Sequence, residues 1–454
     1  MSKERNFKRV NYEAELDKQI RIGDFVPETH LARFIVRMIS RMDLVGFYSK
    51  YSASGGAPYA PEILLGLLLY SYATGIFSSR KIEKATYESL PHHYIAGGMH
   101  PDHDTLNQFR LNFLSEIKEV FVQVLLFARE VGHLKLGAIS LDGSKIHADA
   151  SKHSAVSYGR LQELEAQYHQ EIEELLNLAK QAEREQLPDD FSPAYEIHLR
   201  QSRLDPLAEA KSVIEQRAQE RYQAEQAIYE AKIAERADYQ QETGKKPRGR
   251  APVAPIPGAQ DKDQYNFTDP ESRIMKQGNQ DNFEQAYNGQ AAVCQRSRLI
   301  VANSLSNQPS DQNQLLPTLQ GIPQALGKPT AVALDNGYFS AEAIRILTQI
   351  GIDPYIATGR QPHHPDWRTW LKTVLEPPAE DASPRCKMIY KLNTALGQAI
   401  YRLRKSTVEP VFGIIKEVLG FRQFSLRGLL KAAGEWNLVC LAYNLKRLHC
   451  LETV

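Results

Sequence analysis

Two aspartates close apolar runs in this 454-residue chain: Leu136-Gly-Ala-Ile-Ser-Leu-Asp142-Gly143 and Leu334-Asp335-Asn336-Gly337-Tyr338. A carboxylate at the end of a buried strand is held by a rigid sheet while its oxygens face an accessible edge. Such an edge suits a hard divalent cation, which takes one or two carboxylates and completes its shell with water and phosphate. Two ions about 4 Å apart can activate an attacking oxygen and stabilise a leaving one in an in-line phosphoryl transfer. Two ions need a further carboxylate, and Glu409 is the candidate. Residues 402–431 hold seven basic side chains (Arg402, Arg404, Lys405, Lys416, Arg422, Arg427, Lys431) and two acidic ones, Glu409 and Glu417. Glu409 therefore stands among groups able to hold phosphates. It lies seven residues before Lys416, nearly in line on one helical face. Pro410 disfavours helical geometry at Glu409 and can open a new helix there, which would put the carboxylate at a positive helix end.

These residues need elements to position them. Beyond an N-terminal arm (residues 1–27), residues 28–133 repeat apolar positions at steps of three and four, as in Phe34, Ile35, Met38, Ile39 and Met42, which predicts an all-α domain. Pro61 suits a first helical turn, and Ser78 and Asp104 suit caps. The segment after Asp104, with Asn107, Gln108 and Arg110, has the composition of a helix that reads a major groove, though many amphipathic helices share it. At residue 134 the period changes. Residues 134–159 and 266–454 read as two parts of one α/β core, with strands at 136–142, 286–294, 299–305, 330–334 and 354–357 and helices at 311–326, 341–350, 388–419 and 429–448. Between them, residues 160–243 are helical and charged, with Leu161, Leu164, Tyr168, Ile172, Leu175 and Leu176 on one face and breaks at Pro188 and Pro193. That pattern predicts a helical hairpin or coiled-coil insertion, able to dimerise, to clamp DNA or merely to be solvated. Residues 244–265 place Lys245, Lys246, Arg248 and Arg250 among prolines and glycines, a basic flexible linker suited to DNA.

Composition narrows the classes. Lys and Arg number 55 against 54 Asp and Glu, so any nucleic-acid surface comes from local clustering. Cys294, Cys386, Cys440 and Cys450 form no C-x-x-C pair and read as reduced thiols. Residues 1–10 lack the apolar core of a secretory signal, and residues 63–77, interrupted by Gly66, Ser71, Thr74 and Gly75, fall short of the roughly 20 needed to cross a bilayer. A cytoplasmic protein without a membrane partner is expected. His92, His93, His100, His103, His363 and His364 have neither cysteine partners nor helical H-x-x-x-H spacing, so surface or capping roles are expected rather than zinc. Asp149, Asp281 and Asp353 read as turn or surface residues.

Taken together, five blocks resemble the DDE transposases of bacterial insertion sequences, in the branch with a helical N-terminal domain and a long helical insertion. They are Asp142-Gly-Ser-Lys-Ile, the run from Asn266 to Lys276, Asp335-Asn-Gly-Tyr-Phe-Ser, the run from Tyr401 to Lys416, and Arg427-Gly428 with Glu435-Trp-Asn-Leu-Val-Cys440. The likeness spans nearly the whole chain. It implies a ribonuclease H-like core, a mixed sheet flanked by helices, with the first Asp on its first strand, the second after its fourth, and the Glu on a later helix. It also implies two Mg2+ or Mn2+ ions, Asp142 bridging both and Asp335 and Glu409 each completing one. Tyr401, Arg404 and Lys416 would grip phosphates near the scissile bond. Water would cut the element's end, and the freed 3′-hydroxyl would attack target DNA. The implied partners are double-stranded DNA, as terminal inverted repeats and target, and further copies of the chain in a homodimer or larger oligomer, associated with the nucleoid. The commoner signature has Arg four residues before the Glu, where this chain has Lys405, with Arg404 five before; the two are interchangeable by spacing. Two other readings stand beside this one: a DNA-binding derivative that has lost catalysis, and a hydrolytic nuclease of the same fold. The presence of all three carboxylates argues against the first.

Overall fold

Apolar runs too short for helices build the sheet that carries both aspartates. The computed structural model describes residues 21–52, 56–182, 191–243, 246, 249–277, 282–359 and 377–453. Two compact units emerge, residues 1–146 with 288–454, and residues 147–287. In the first, β1 (Ala138–His147) and β7 (Ala331–Leu334) run parallel with Ile139 opposite Val332, and β7 is parallel to β8 (Asp353–Ile356). All four β7 residues are buried, as expected of an inner parallel strand. On the other side of β1 lies β5 (Asn282–Cys294), whose second half pairs antiparallel with β6 (Ile300–Ser306). The sheet is thus mixed and flanked by helices.

The C-terminal helix α14 (Leu429–Glu452) is bolted to this sheet by polar side chains in an otherwise apolar face. Asn444 accepts from Ile300 N and donates to Ile300 O, both at 2.8 Å, and Trp436 Nε1 donates to Gln290 O at 3.0 Å. Its other contacts include two N-terminal helices, α3 (Pro61–Ala73) and α7 (Leu114–Glu130). α3 is apolar on every side and nearly all buried, which accounts for the hydropathic run at 63–77; among the described residues no helix is long and apolar enough to cross a membrane. Pro61 occupies its first turn. The helix α6 (His103–Asn112) is capped by Asp102, whose side chain accepts from Thr105 N, and not by Asp104.

The proposed groove-reading face of α6 is partly internal. Arg110 is 5% exposed and donates to Tyr72 Oη at 2.7 Å and to Asn107 Oδ1 at 2.8 Å, with Glu435 at 3.4 Å. Glu435, wholly buried, accepts from Tyr72, Arg110, the Ser425 hydroxyl and the backbone N–H groups of Ser425 and Leu426. Arg110 therefore joins helices rather than base edges, because a charge buried at this depth must be paired, and half-buried Asn107 accepts from it within α6. Gln108 alone of the three is exposed.

The second unit is built on a helical hairpin. Helices α8 (Tyr158–Ala182) and α9 (Pro193–Thr243) run antiparallel, as Glu171 with Arg200 at 2.8 Å, Glu165 with Lys211 at 2.7 Å and Tyr158 with Glu215 at 2.7 Å require. Their apolar seam, Leu161, Leu207, Ala210 and Ile214, closes on Val156 and Tyr265 of the two-stranded β2 (Ala155–Ser157) and β3 (Gln264–Asn266). β4 (Arg273–Gln277) pairs with the first half of β5. Lys246 and Arg250 are exposed; Lys245, Arg248, Pro188, Asp281, His363 and His364 lie outside the described residues.

Two stability predictions follow from these buried charges. Glu435→Ala leaves Arg110 buried without its counter-charge and should cost about 3–5 kcal/mol, read as a fall in unfolding free energy in urea. His92 is 3% exposed between Ser71 Oγ (3.2 Å) and Ser89 Oγ (2.9 Å), and burial pulls its pKa down to about 4. The unfolded chain then binds the extra proton first, so stability should fall as pH drops from about 6.5 towards 4, by on the order of 3 kcal/mol. His92→Gln should flatten that slope.

Candidate active site

β1 does not stop at Asp142. It continues through Gly143 to His147, and Gly143 is no turn glycine: it lacks positive φ and sits inside the strand. A Cβ there would lie 2.2 Å from Gln290 Nε2, 2.6 Å from Asp311 Oδ1 and 3.0 Å from Asn288 Oδ1. The residue is glycine because polar side chains from β5 and the loop after β6 press against its backbone.

Above the sheet, α12 (Pro384–Asn393) and α13 (Ala395–Gly413) replace the single helix expected over 388–419. Thr394 caps α13 by accepting from Gly397 N at 3.0 Å, and any Cβ on Gly397 would strike Lys391 O. Pro410 does not start a new helix. α13 passes through it, carried by the buried side chains Val408, Val411 and Phe412, so Glu409 sits inside a helix and not at a positive end. One turn later follows a π-helical segment, Ile414–Val418, a distortion common at functional sites. Within it Lys416 Nζ donates to Lys145 O of β1 at 2.7 Å.

Helix and strand meet at a charged seam. Arg404 Nη1 donates to Asp142 Oδ2 at 2.8 Å and Nη2 to Glu409 Oε1 at 3.2 Å. Thr407 Oγ1 donates to Ser140 Oγ at 2.8 Å, and Gln295 Nε2 reaches Ser140 Oγ and Ile400 O, both at 3.0 Å. Asp335 caps the turn after β7, its Oδ1 accepting from Gly337 N at 2.8 Å. Asp311 Oδ1 accepts from Asn288 Nδ2 (2.6 Å), Gln290 Nε2 (2.8 Å) and Lys145 Nζ (3.4 Å). Tyr338 donates to Gln290 Oε1 and completes the chain.

Burial dominates the electrostatics. It pushes Asp142 up to about 7 despite Arg404, and the charges of Asp335 and Asp311 push the same way. Asp335 is also raised, by burial first and by Asp311 among its neighbours. Burial lowers both Lys145 and Lys416. Burial therefore disfavours the charged carboxylate at Asp142 and Asp335, a cost that a nearby cation would lower.

Two family models match the chain. Residues 253–445 match a Transposase DDE domain, and residues 20–112 match a Transposase domain (DUF772). The chain is an insertion-sequence DDE transposase. No curated protein and no solved structure gives a match. The DDE match takes in Asp311, Asp335, Arg404 and Glu409, while Asp142 lies before it.

DDE transposases generally need divalent metal ions, and the donor set of this transposase fits such an ion. It offers hard carboxylate oxygens, an excess of negative charge and one buried amide oxygen, Asn288 Oδ1, without a donor. Among the described residues no three His, Cys, Asp or Glu already stand together as an ion requires; the guanidinium of Arg404 lies between Asp142 and Glu409. Arg404 and Lys405, interchangeable by spacing, part company here. Arg404 turns inward with its Nε buried and unpartnered, engaged by carboxylates rather than free for phosphate, whereas Lys405 is exposed. Lys416 likewise spends a donor on the β1 backbone. Tyr401 is half-buried, its ring 6.0 Å from the Arg404 guanidinium.

Sequence reasoning missed Asp311, Asn288, Gln290 and Lys145 as site residues, reading Asp311 only as a helix start. The helix there is shorter, α10 (Leu315–Gln320), ended by Gly321, and Asp311 lies in the turn before it. The available signal was two amides two residues apart in the apolar run of β5, hence on one face. Gly143→Ala should destabilise the transposase by about 1–3 kcal/mol through overpacking. Gly137→Ala, where a Cβ meets nothing within 4 Å, should not; denaturant melts of the two variants make the comparison.

Proposed function

We propose that the chain binds the ends of an insertion sequence and catalyses DNA cleavage and strand transfer into target DNA, with Asp142, Asp335 and Glu409 as the metal-holding carboxylates of a ribonuclease H-like core. The observation that carries this reading is the seam at Arg404: residues 142 and 409, 267 positions apart, share one guanidinium. Asp335 acts on the same carboxyl electrostatically. A charge-deficient cluster at a sheet edge, inside a DDE transposase, is the chemistry of a divalent-ion site.

In this reading Asp142, Asp335 and Glu409 would hold the two Mg2+ or Mn2+ ions. When bound, the pair supplies Lewis-acid activation of the attacking water or 3′-hydroxyl and stabilisation of the leaving oxygen. The chain's own residues do the rest. Strand β1 fixes Asp142 against α13 through Ser140 and Thr407, and Gly337 N fixes Asp335. Glu409, half exposed, is paired with Arg404 at 3.2 Å and would be the carboxylate of the three most open to solvent-borne ions. Lys405, Lys246, Arg250 and Gln108 are each exposed, which supports their proposed roles in phosphate or base contact. Terminal inverted repeats, target DNA and further copies of the chain are the proposed partners, met at the nucleoid.

The test is incubation of purified protein with labelled DNA carrying the gene's flanking sequences and a target plasmid, in Mg2+, Mn2+ or EDTA. Joined products that require metal are expected. Asp142→Ala, Asp335→Ala and Glu409→Ala should each lower joining by at least about 10²–10³-fold, with end binding retained in a mobility-shift assay. Cutting without joining would favour a hydrolytic nuclease, and binding without cutting a non-catalytic DNA-binding protein. Full activity in two of the three variants would overturn the site.

A further inference from the structure

We infer that Asp311 is a fourth carboxylate of the ion site, offering its Oδ2 beside Asp335; this rests on the two-ion reading above. The two oxygens of Asp311 have different surroundings. Oδ1 takes three donors, from Asn288, Gln290 and Lys145, while Oδ2 has no hydrogen bond among the described residues. The protein shows how it treats carboxylates whose role is to hold the fold. Glu435 is closed by five donors across both oxygens, and Asp269 receives Tyr287 Oη on both, at 3.0 and 2.8 Å. Asp311 is anchored on one side only.

The free side faces the site. A Cβ built on Gly337 would lie 3.0 Å from Asp335 Oδ1 and 3.8 Å from Asp311 Oδ2, so both oxygens open onto one space above that glycine. A small hard cation takes oxygens of this kind, with metal–oxygen distances of about 2.1 Å. A second observation points to a ligand there. Asn288 is fully buried, its Nδ2 holds Asp311, and its Oδ1 has no partner. That oxygen, Asp311 Oδ1 and Gln290 Nε2 all crowd the backbone at Gly143, next to Asp142. A buried amide oxygen without a donor is costly, and a water carried in on an ion would supply one. Two ions then meet four carboxylates, and Asn288 and Gln290 hold the fourth in place as ligand-orienting groups do.

Mn2+ titration of the full-length protein, followed by the paramagnetic resonance signal of the free aquo ion, tests this without reference to activity. Asp311→Asn keeps the size of the side chain and an acceptor oxygen for its three donors while removing the free carboxylate oxygen. It should lose one of two bound ions, or weaken it by at least about tenfold, with the melting temperature and DNA-end binding unchanged. Asp311→Cys titrated with Cd2+ should add a thiolate-to-cadmium ultraviolet band absent from the wild type, and this arm decides the matter if Asp311→Asn fails to fold. Wild-type Mn2+ binding by Asp311→Asn, alongside loss in Asp335→Asn, would overturn the role of Asp311 and leave the transposase site intact. Failure of the wild type itself to bind Mn2+ would overturn both.

Discussion

The cost of burying Asp142 in the middle of a strand governs the arrangement around it. A carboxylate there loses most of its hydration, and one guanidinium does not restore it: Asp142 stays raised to about 7 with Arg404 at 2.8 Å. A fold maximising stability would replace such a pair with apolar packing, since desolvation often exceeds the attraction gained. This chain instead surrounds Asp142 with more negative charge, from Asp335 and Asp311. The rest of the site follows from that choice. Gly143 must be small, Gln290 and Asn288 must be polar within an apolar strand, and α13 must bring Arg404 over the sheet.

The contrast with Glu435 separates structure from chemistry by a physical criterion rather than by motif. Both acids face an arginine, Glu435 wholly buried and Asp142 with 18% of its side chain exposed. Glu435 is satisfied by neutral hydroxyls and backbone N–H groups as well as by Arg110, and it fixes α14 to α3 and α6. Asp142 has one backbone donor and one shared arginine. Fully satisfied networks rigidify a core, and a partly satisfied one is costly in a low dielectric. The acids left incomplete, Asp142, Asp335 and Asp311, gather around β1 and the turn after β7.

Much of the architecture was legible in periodicity. The all-α start, the strand at Ala331–Leu334 ending before Asp335, the paired strands around Cys294 and Ile300 and the charged hairpin are all found near their expected positions. The failures share a cause: local signals were overridden by packing. Asp-Gly reads as a turn, yet Gly143 is imposed by side chains from β5 that no local window contains. Pro410 reads as a helix start, yet the apolar face Val408, Val411, Phe412 and Ile415 carries the helix across it. Arg110 reads as a base-contacting residue, and its partner lies 325 residues away. Asp311 was invisible because its significance depends on which of its two oxygens is occupied, a property of three dimensions only.

The passage through Pro410 also explains why one helix can serve both ends of the site. A helix broken at Pro410 would leave Arg404 and Glu409 on one segment but set Lys416 by an independent axis. A continuous α13 holds Arg404 and Glu409 on one rigid body, and the π-helical segment that follows it sets Lys416 Nζ on Lys145 O. That bond holds the strand three residues beyond Asp142, while Thr407 holds it two residues before, at Ser140. The aspartate is thus clamped on both sides by the helix that carries its arginine and the glutamate. Movement of α13 would shift Asp142, Arg404 and Glu409 together, so the geometry of the carboxylates is set by one interface rather than by three independent loops.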